Sequence, residues 1–260
     1  MKIVRILPFL LFGSILYAQD TDATEPMVTD RPDATESPLT VPKGTLQIET
    51  GGFYTSFEEN DVKTETYGFN TTLIRYGVLK NLEFRLGWNF EETRFSQNGM
   101  ELPDVLSGFS PLLAGMKVEV AEEDGWKPQI GLLGHLYLPF SASSDYRPET
   151  TGADFRFSFS HTLSEKSSIS YNVGAAWGSD SPEVSYIYTL SYGLALAEKI
   201  GFYAEVYGDF PEDSRANHLW DTGFTYLAMP NLQFDVTVGG SITKGQDILL
   251  STGVSYRFPN

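Results

Sequence analysis

Leu82-Glu83-Phe84-Arg85-Leu86-Gly87-Trp88-Asn89-Phe90-Glu91 puts an apolar or aromatic side chain at every even position and a charged, polar or glycine residue at every odd one. Successive side chains of an extended chain point to opposite faces, so the stretch reads as a strand with one apolar and one charged face. Phe155, Phe157 and Phe159 alternate in the same way with Asp154, Arg156 and Ser158, and the pattern returns over 169–177 and 232–238. Extended in both directions, this period of two predicts strands near 44–57, 65–78, 82–94, 112–121, 128–140, 152–163, 167–178, 184–197, 201–210, 217–227, 232–241 and 247–258. These are about twelve strands of roughly ten to fourteen residues, where soluble sheets favour about 5–6 and tilted membrane-crossing strands need about 9–11. The expected fold is all-β: a transmembrane, antiparallel, up-and-down β-barrel.

The connections carry a second signal. Leu79-Lys80-Asn81, Ser164-Glu165-Lys166, Glu198-Lys199 and Met229-Pro230-Asn231 read as tight turns, and 122–127 as a slightly longer one. Between them fall polar loops at 95–111, 141–151, 179–183, 211–216 and 243–247. Outer-membrane barrels alternate short periplasmic turns with longer outer loops. With an even number of strands, both termini then lie on the periplasmic side.

Cost decides which face meets lipid. A basic side chain at the lipid-facing midplane costs roughly 2–4 kcal/mol, so the charged face is expected to line the lumen. The lumen candidates are Glu49, Arg75, Glu83, Arg85, Glu91, Lys117, Glu119, His135, Asp154, Arg156, Glu205, Asp209, Asp221, Asp235 and Arg257. Leaving His135 aside, nine of these are acidic and five basic, which predicts a narrow pore that favours cations over anions. Tyr54, Trp88, Trp177 and Tyr256, near strand ends, are expected at the membrane interfaces.

Two segments precede the first strand. Met1–Ala18 carries Lys2 and Arg5, then an apolar run ending at Ala18, as a secretory signal peptide does; the run is too short for a transmembrane helix. Residues 19–43 read as an irregular acidic arm in which Pro26, Pro32, Pro38 and Pro42 interrupt any ladder. The division is therefore 1–18 signal peptide, 19–43 arm (periplasmic, or plugging the lumen) and 44–260 barrel.

Composition removes other classes. The chain has 260 residues, 18 basic against 34 acidic, and a formal charge of −16, which disfavours a nucleic-acid partner. Aromatic residues at 14% argue against disorder. Zero cysteines exclude disulfides, thiolate-bound metals, a thiol nucleophile and a lipid anchor on cysteine. No cofactor is expected, because His135, His161 and His218 sit on separate predicted strands without metal-ligand spacing.

Thr29-Asp30-Arg31-Pro32-Asp33-Ala34-Thr35-Glu36-Ser37-Pro38, followed by Val41-Pro42-Lys43-Gly44-Thr45-Leu46-Gln47-Ile48-Glu49-Thr50-Gly51-Gly52, resembles the opening of an outer-membrane family named "putative MetA-pathway of phenol degradation". Phe202–Gly208, Asp221-Thr222-Gly223 and Pro230–Asp235 extend the likeness. Where the family commonly shows G-x-G-D before the fourth strand, this chain has Ser107-Gly108-Phe109-Ser110-Pro111. The resemblance implies a barrel of this size that passes small solutes, aromatic or hydrophobic ones among them. It marks Thr29, Asp30, Arg31, Pro32, Thr35, Glu36 and Ser37 as the family's arm motif.

Ser251-x-Gly253-x-x-Tyr256-x-Phe258 looks like the last-strand signal read by the barrel assembly machinery. The expected partners are thus that machinery, outer-membrane lipid and small solutes, and the expected location is the outer membrane. Two rivals remain open: a barrel hydrolase acting on lipid, for which His135 is the candidate base, and a secreted β-sandwich binding protein. Ser160 and His161 cannot form a pair in such a hydrolase, since adjacent strand residues face opposite ways. Gly51-Gly52 and Gly239-Gly240 are expected bulges or kinks rather than phosphate loops.

Overall fold

The computed structural model describes residues 27–259. The expected signal peptide, 1–18, lies outside them, as does the start of the arm. Thirteen strands follow one another: β1 (Leu46–Glu59), β2 (Val62–Leu79), β3 (Leu82–Gln97), β4 (Met100–Phe109), β5 (Leu112–Ala121), β6 (Gln129–Leu138), β7 (Gly152–Ser164), β8 (Ser167–Trp177), β9 (Val184–Ala197), β10 (Ile200–Pro211), β11 (Asn217–Met229), β12 (Leu232–Ser241) and β13 (Ile248–Arg257). Neighbours pair antiparallel, and β13 pairs with β1 from Gln47↔Arg257 to Ser56↔Ile248, which closes the ring. Closure is what separates this fold from a sandwich, because it leaves no edge facing lipid.

Burial is inverted relative to a soluble protein. Gln47, Glu49, Arg75, Glu83 and Lys117 have no exposed surface, whereas Phe84 and Met116 are each 50% exposed. The phase of alternation in Leu82–Glu91 is thus realised with its charged face inward. Leu136, Phe157, Leu190, Phe224 and Val236 likewise face outward.

One expectation is corrected. Residues 95–111, read as a loop, belong largely to the sheet: β3 runs on to Gln97, turns through Asn98-Gly99 at positive φ, and returns as β4. β4 and β5 act as one barrel strand broken at Ser110-Pro111. β4 pairs with the outer half of β3 (Phe90↔Phe109 to Gln97↔Met100), and β5 with the inner half (Leu82↔Val118 to Gly87↔Leu113). Twelve positions around the ring therefore accommodate thirteen strands.

On this side β6 pairs with β5 and not with β4, so the far side of β4 has no strand beside it. The segment after β6, with 3-10 turns at Pro139–Ser141 and Ser144–Tyr146, supplies side chains instead. Ser141 Oγ accepts from Leu112 N (2.8 Å), Ser143 Oγ from Phe109 N (2.9 Å) and Asp145 Oδ2 from Ser107 N (3.0 Å). These bonds satisfy amides that would otherwise be orphaned at the broken strand.

Candidate functional site

The arm occupies the lumen. From residue 27 the chain enters beside β1 and crosses to β9 and β10 at Asp33–Thr35. It then turns back along β8, β6 and β3, and rejoins the wall where Lys43 bridges to Gly77. A Cβ on Gly77 would overlap the carbonyl oxygens of Val41 and Pro42, so the wall is glycine where the plug leaves it. Gly51 and Gly253, register partners on β1 and β13, form a second gap through which Arg31 lies flat to reach Asp235 (Nη2 to Oδ1, 3.0 Å).

Wall charges and plug charges complete each other. Arg75 and Arg85 stand directly opposite on β2 and β3, an unfavourable pairing on its own. Plug residue Asp30 answers it, lying 3.2 Å from Arg75, 3.3 Å from Arg85 and 2.7 Å from Lys117. Glu49 and Glu83 each hold Arg75 at 2.9 Å, and plug residue Glu36 holds Arg85 at 2.8 Å and Lys117 at 3.5 Å. Burial pushes the Glu36 carboxyl upward, but Arg85 and then Lys117 outweigh it and hold it well below the usual carboxylate range. Three wall cations, the wall's Glu49 and Glu83, and the arm's Asp30 and Glu36 therefore form one largely buried network.

The rest of the plug is held by polar wall residues. Glu205 accepts from Ala34 N (2.5 Å), Thr35 N (3.2 Å) and Thr35 Oγ (2.8 Å). Asn172 bonds the Glu36 backbone in both directions, Ser158 donates to Glu36 O, and Glu83 accepts from Val41 N. Thr29 bonds Gln233, and Ser37 N bonds Asp30. Gln47, Ser158, Asn172, Thr189 and Ser191 were not singled out from sequence. For Gln47 and Ser158 a signal was available, since each shares the inward phase of a charged neighbour two residues away; Asn172, Thr189 and Ser191 have no charged residue in phase within four positions.

The remaining expected lumen residues fall as follows. His135 Nδ1 bonds Asp154 (2.9 Å), Tyr137 donates to the same carboxylate (2.7 Å), and Arg156 approaches it at 4.0 Å. Glu91 accepts from Asn89, Glu119 from Gln129, and Asp209 from Ser185 and Asn217. Arg257 is buried at the end of β13. Pro32 adjoins Arg31 in the plug.

Cavities flank the plug. One of about 650 Å³ lies at the end of the barrel where β1 begins and β13 ends, against Leu39, Val41, Lys80 and Arg257. Another, of about 310 Å³, lies on the outer side against Leu73, Gly87, Leu113, Pro111 and Tyr137, with Arg85 and Glu36 at its polar side.

The sequence of residues 29–258, from the plug motif to the last strand, matches the family described as "Putative MetA-pathway of phenol degradation". The chain belongs to this family. Among solved structures it is similar to the COG4313 outer membrane channel from Pseudomonas putida F1, with a TM-score of 0.66 at 14% identity over 84% of this chain and 97% of that one. It is also similar to the KdgM porin (TM-score 0.53, 12% identity, 82% of this chain and 99% of that one). A third likeness is to the CymD monoaromatic hydrocarbon channel (TM-score 0.50, 10% identity, 85% of this chain and 90% of that one). No curated protein matches the sequence. The fold these likenesses share is the outer-membrane barrel, and the family member described here is one with its lumen filled by its own N-terminal arm.

Proposed function

We propose that this family member is an outer-membrane channel for small solutes, aromatic or hydrophobic ones among them, held closed by its arm. The observation that carries the reading is a closed barrel whose polar lumen is filled by a non-covalent segment with a cavity on either side. A structural core would need no such cavities, and a binding module would need no membrane-facing wall.

The outer cavity supports the solute class. Its walls are largely apolar, and about 310 Å³ is ample for one aromatic ring, since engineered cavities of about 150 Å³ take up benzene. The similar CymD is a monoaromatic hydrocarbon channel, which favours the same class here. Arg85 at the polar side would orient a solute bearing one acceptor group.

A hydrolytic reading has one supporting feature, the His135–Asp154 pair, which matches the base and orienting acid of a triad. Among the described residues no serine hydroxyl bonds His135 Nε2. The pair instead anchors Tyr137 beside the outer cavity, and we assign it a structural role. His135→Ala should leave lipid hydrolysis at background in both proteins; loss of a measurable activity would reverse the assignment.

The deciding experiment is conductance and solute-driven liposome swelling by the purified protein, alongside a variant lacking residues 19–42. Conductance several-fold larger without the arm is expected. A variant that folds and conducts no more than the full chain would refute closure by the plug.

A further inference from the structure

The lipid-facing side of the wall is apolar along most strands. On β8, Ile169, Tyr171, Val173 and Ala175 face outward while Ser170, Asn172 and Gly174 face the lumen. Two outward threonines, Thr222 and Thr252, donate their hydroxyls to the backbone carbonyls of Tyr203 and Asp235. The exception lies on β1 and β2, where Thr50, Asn70 and Thr72 share the outer face.

Asn70 sits in a bulge of β2, at φ 53°, where the register shifts against both neighbouring strands. Its Oδ1 accepts from Thr72 Oγ (2.8 Å) and, at longer range, from Thr50 Oγ (3.4 Å). The side chain is exposed, and no acceptor among the described residues lies within reach of Nδ2. Tyr54 pairs with Tyr67 at one edge of this stretch, and Leu46 with Tyr76 at the other. Thr50 lies four residues from each edge. At about 3.3 Å per residue along strands tilted about 40°, that is about 10 Å inside an apolar band about 25 Å tall.

Hydrocarbon offers no acceptor, so an amide left unpaired there is costly. The bulge alone does not explain the residue. A left-handed backbone suits glycine as well as asparagine, and glycine would bring no polar group into lipid. Beside the bulge the wall also has a notch. Gly52 faces outward next to Thr252, and a Cβ on it would come within 2.9 Å of the Gly68 carbonyl oxygen. Phe69, 50% exposed, stands next to this notch as a ridge, its ring stacked on Tyr67.

We propose that this patch joins two copies of the chain in the membrane. In the two-fold dimer each Asn70 Nδ2 donates to Asn70 Oδ1 of the other copy, and each Phe69 enters the notch over the other copy's Gly52. Copies inserted the same way share a two-fold axis along the membrane normal, which sets every residue opposite itself at equal depth. A carboxamide carries both a donor and an acceptor and is therefore its own complement, which a lipid tail is not. The long Thr50 contact is the one that yields its place on Oδ1. Small residues such as Gly52 let two walls approach closely, as they do between membrane helices. The dimer is independent of whether the barrel conducts.

Sedimentation of the purified full-length barrel in mild detergent tests the contact. Wild type should be dimeric. Asn70→Gly, which keeps the left-handed bulge, should weaken the dimer at least tenfold, and Phe69→Ala, which leaves the bulge untouched, should weaken it too. Heat-modifiable migration checks that each variant is folded, and if Asn70→Gly is not, Phe69→Ala decides. In native outer membranes, oxidation should join Thr252→Cys into disulfide-linked dimers and leave Leu190→Cys, across the ring on β9, unlinked; the chain has no cysteine of its own. A wild type that is monomeric in detergent and gives no Thr252→Cys dimer overturns the proposal, and means that polar groups of lipid meet Asn70 instead. Dimers of unchanged strength in the folded variants, or linkage through Leu190→Cys rather than Thr252→Cys, overturn it as well.

Discussion

Arg75 has no exposed surface and touches Asp30, Glu49 and Glu83. Removing one member of a buried ion network leaves the others charged and dry, at a cost of about 3–5 kcal/mol. Arg75→Met is therefore expected to lower the barrel's stability by that order, read as a fall in the urea midpoint of folded protein in detergent. A change below about 1 kcal/mol would mean water enters the network. Titration at the plug gives a second expectation. Burial, then the Glu205 charge, push the Asp33 carboxyl well above its usual range. The seating contributed by protonated Asp33 is thus present at acid pH and lost as pH rises through that raised value. Glu36, held low by Arg85 and Lys117 against burial, contributes above the usual carboxylate value and stops contributing as pH falls through its depressed one. The plug should be seated best between the two. The chain has no native cysteine, so maleimide labelling of Ala34→Cys can follow seating against pH. Relative to a free thiol at the same pH, whose thiolate fraction itself rises with pH, labelling should accelerate toward alkaline pH, and Asp33→Asn should flatten that extra rise.

At the scale of elements, the broken β4–β5 strand is the least regular part of the wall. Replacing Ser141 and Ser143 by Ala would remove the acceptors of the Leu112 and Phe109 amides, at a cost of about 0.5–1.5 kcal/mol each, since both bonds are exposed. Hydrogen exchange at those two amides should quicken while β10–β12 stay unchanged; equal protection would show that the serine bonds contribute nothing. The same element explains why 95–111 was unreadable as strand. Alternation fails at Leu102-Pro103-Asp104, where the register shifts between Arg94 and Ser96, and a bulge breaks the period on which the reading depends. Most other strands were legible because one face meets lipid, which keeps the period strict; β2 was mixed on both faces over Tyr67–Val78, where its register with β3 shifts between Phe69 and Thr72.

For the whole molecule, ring closure between β1 and β13 predicts resistance to unfolding until boiled. Unboiled protein should migrate apart from boiled protein in detergent gels, and identical migration would contradict a closed barrel. Closure is fastened by Phe258 N donating to Leu46 O at 2.9 Å, with Tyr256 and Phe258 rings packed edge to face. We propose that the assembly machinery reads this last strand. Tyr256→Ala with Phe258→Ala should then reduce membrane assembly several-fold, against no change for Lys244→Ala. Equal assembly of the two would remove the terminal aromatics as a signal.

By itself the sequence determined the barrel, its strand phase and the inward placement of charge, because lipid tolerates neither an unpaired backbone nor an exposed charge. The arm's acids and prolines were legible too, but not their destination. Only the tertiary structure decided that Asp30 joins Arg75, Arg85 and Lys117, that Arg31 crosses the Gly51–Gly253 gap to Asp235, and that Glu205 and Asp221 stand opposite each other. Those relations join residues up to 204 positions apart. Periodicity fixes which way a side chain points from its own strand, whereas its partner across a closed lumen depends on shear, bulges and the plug's path.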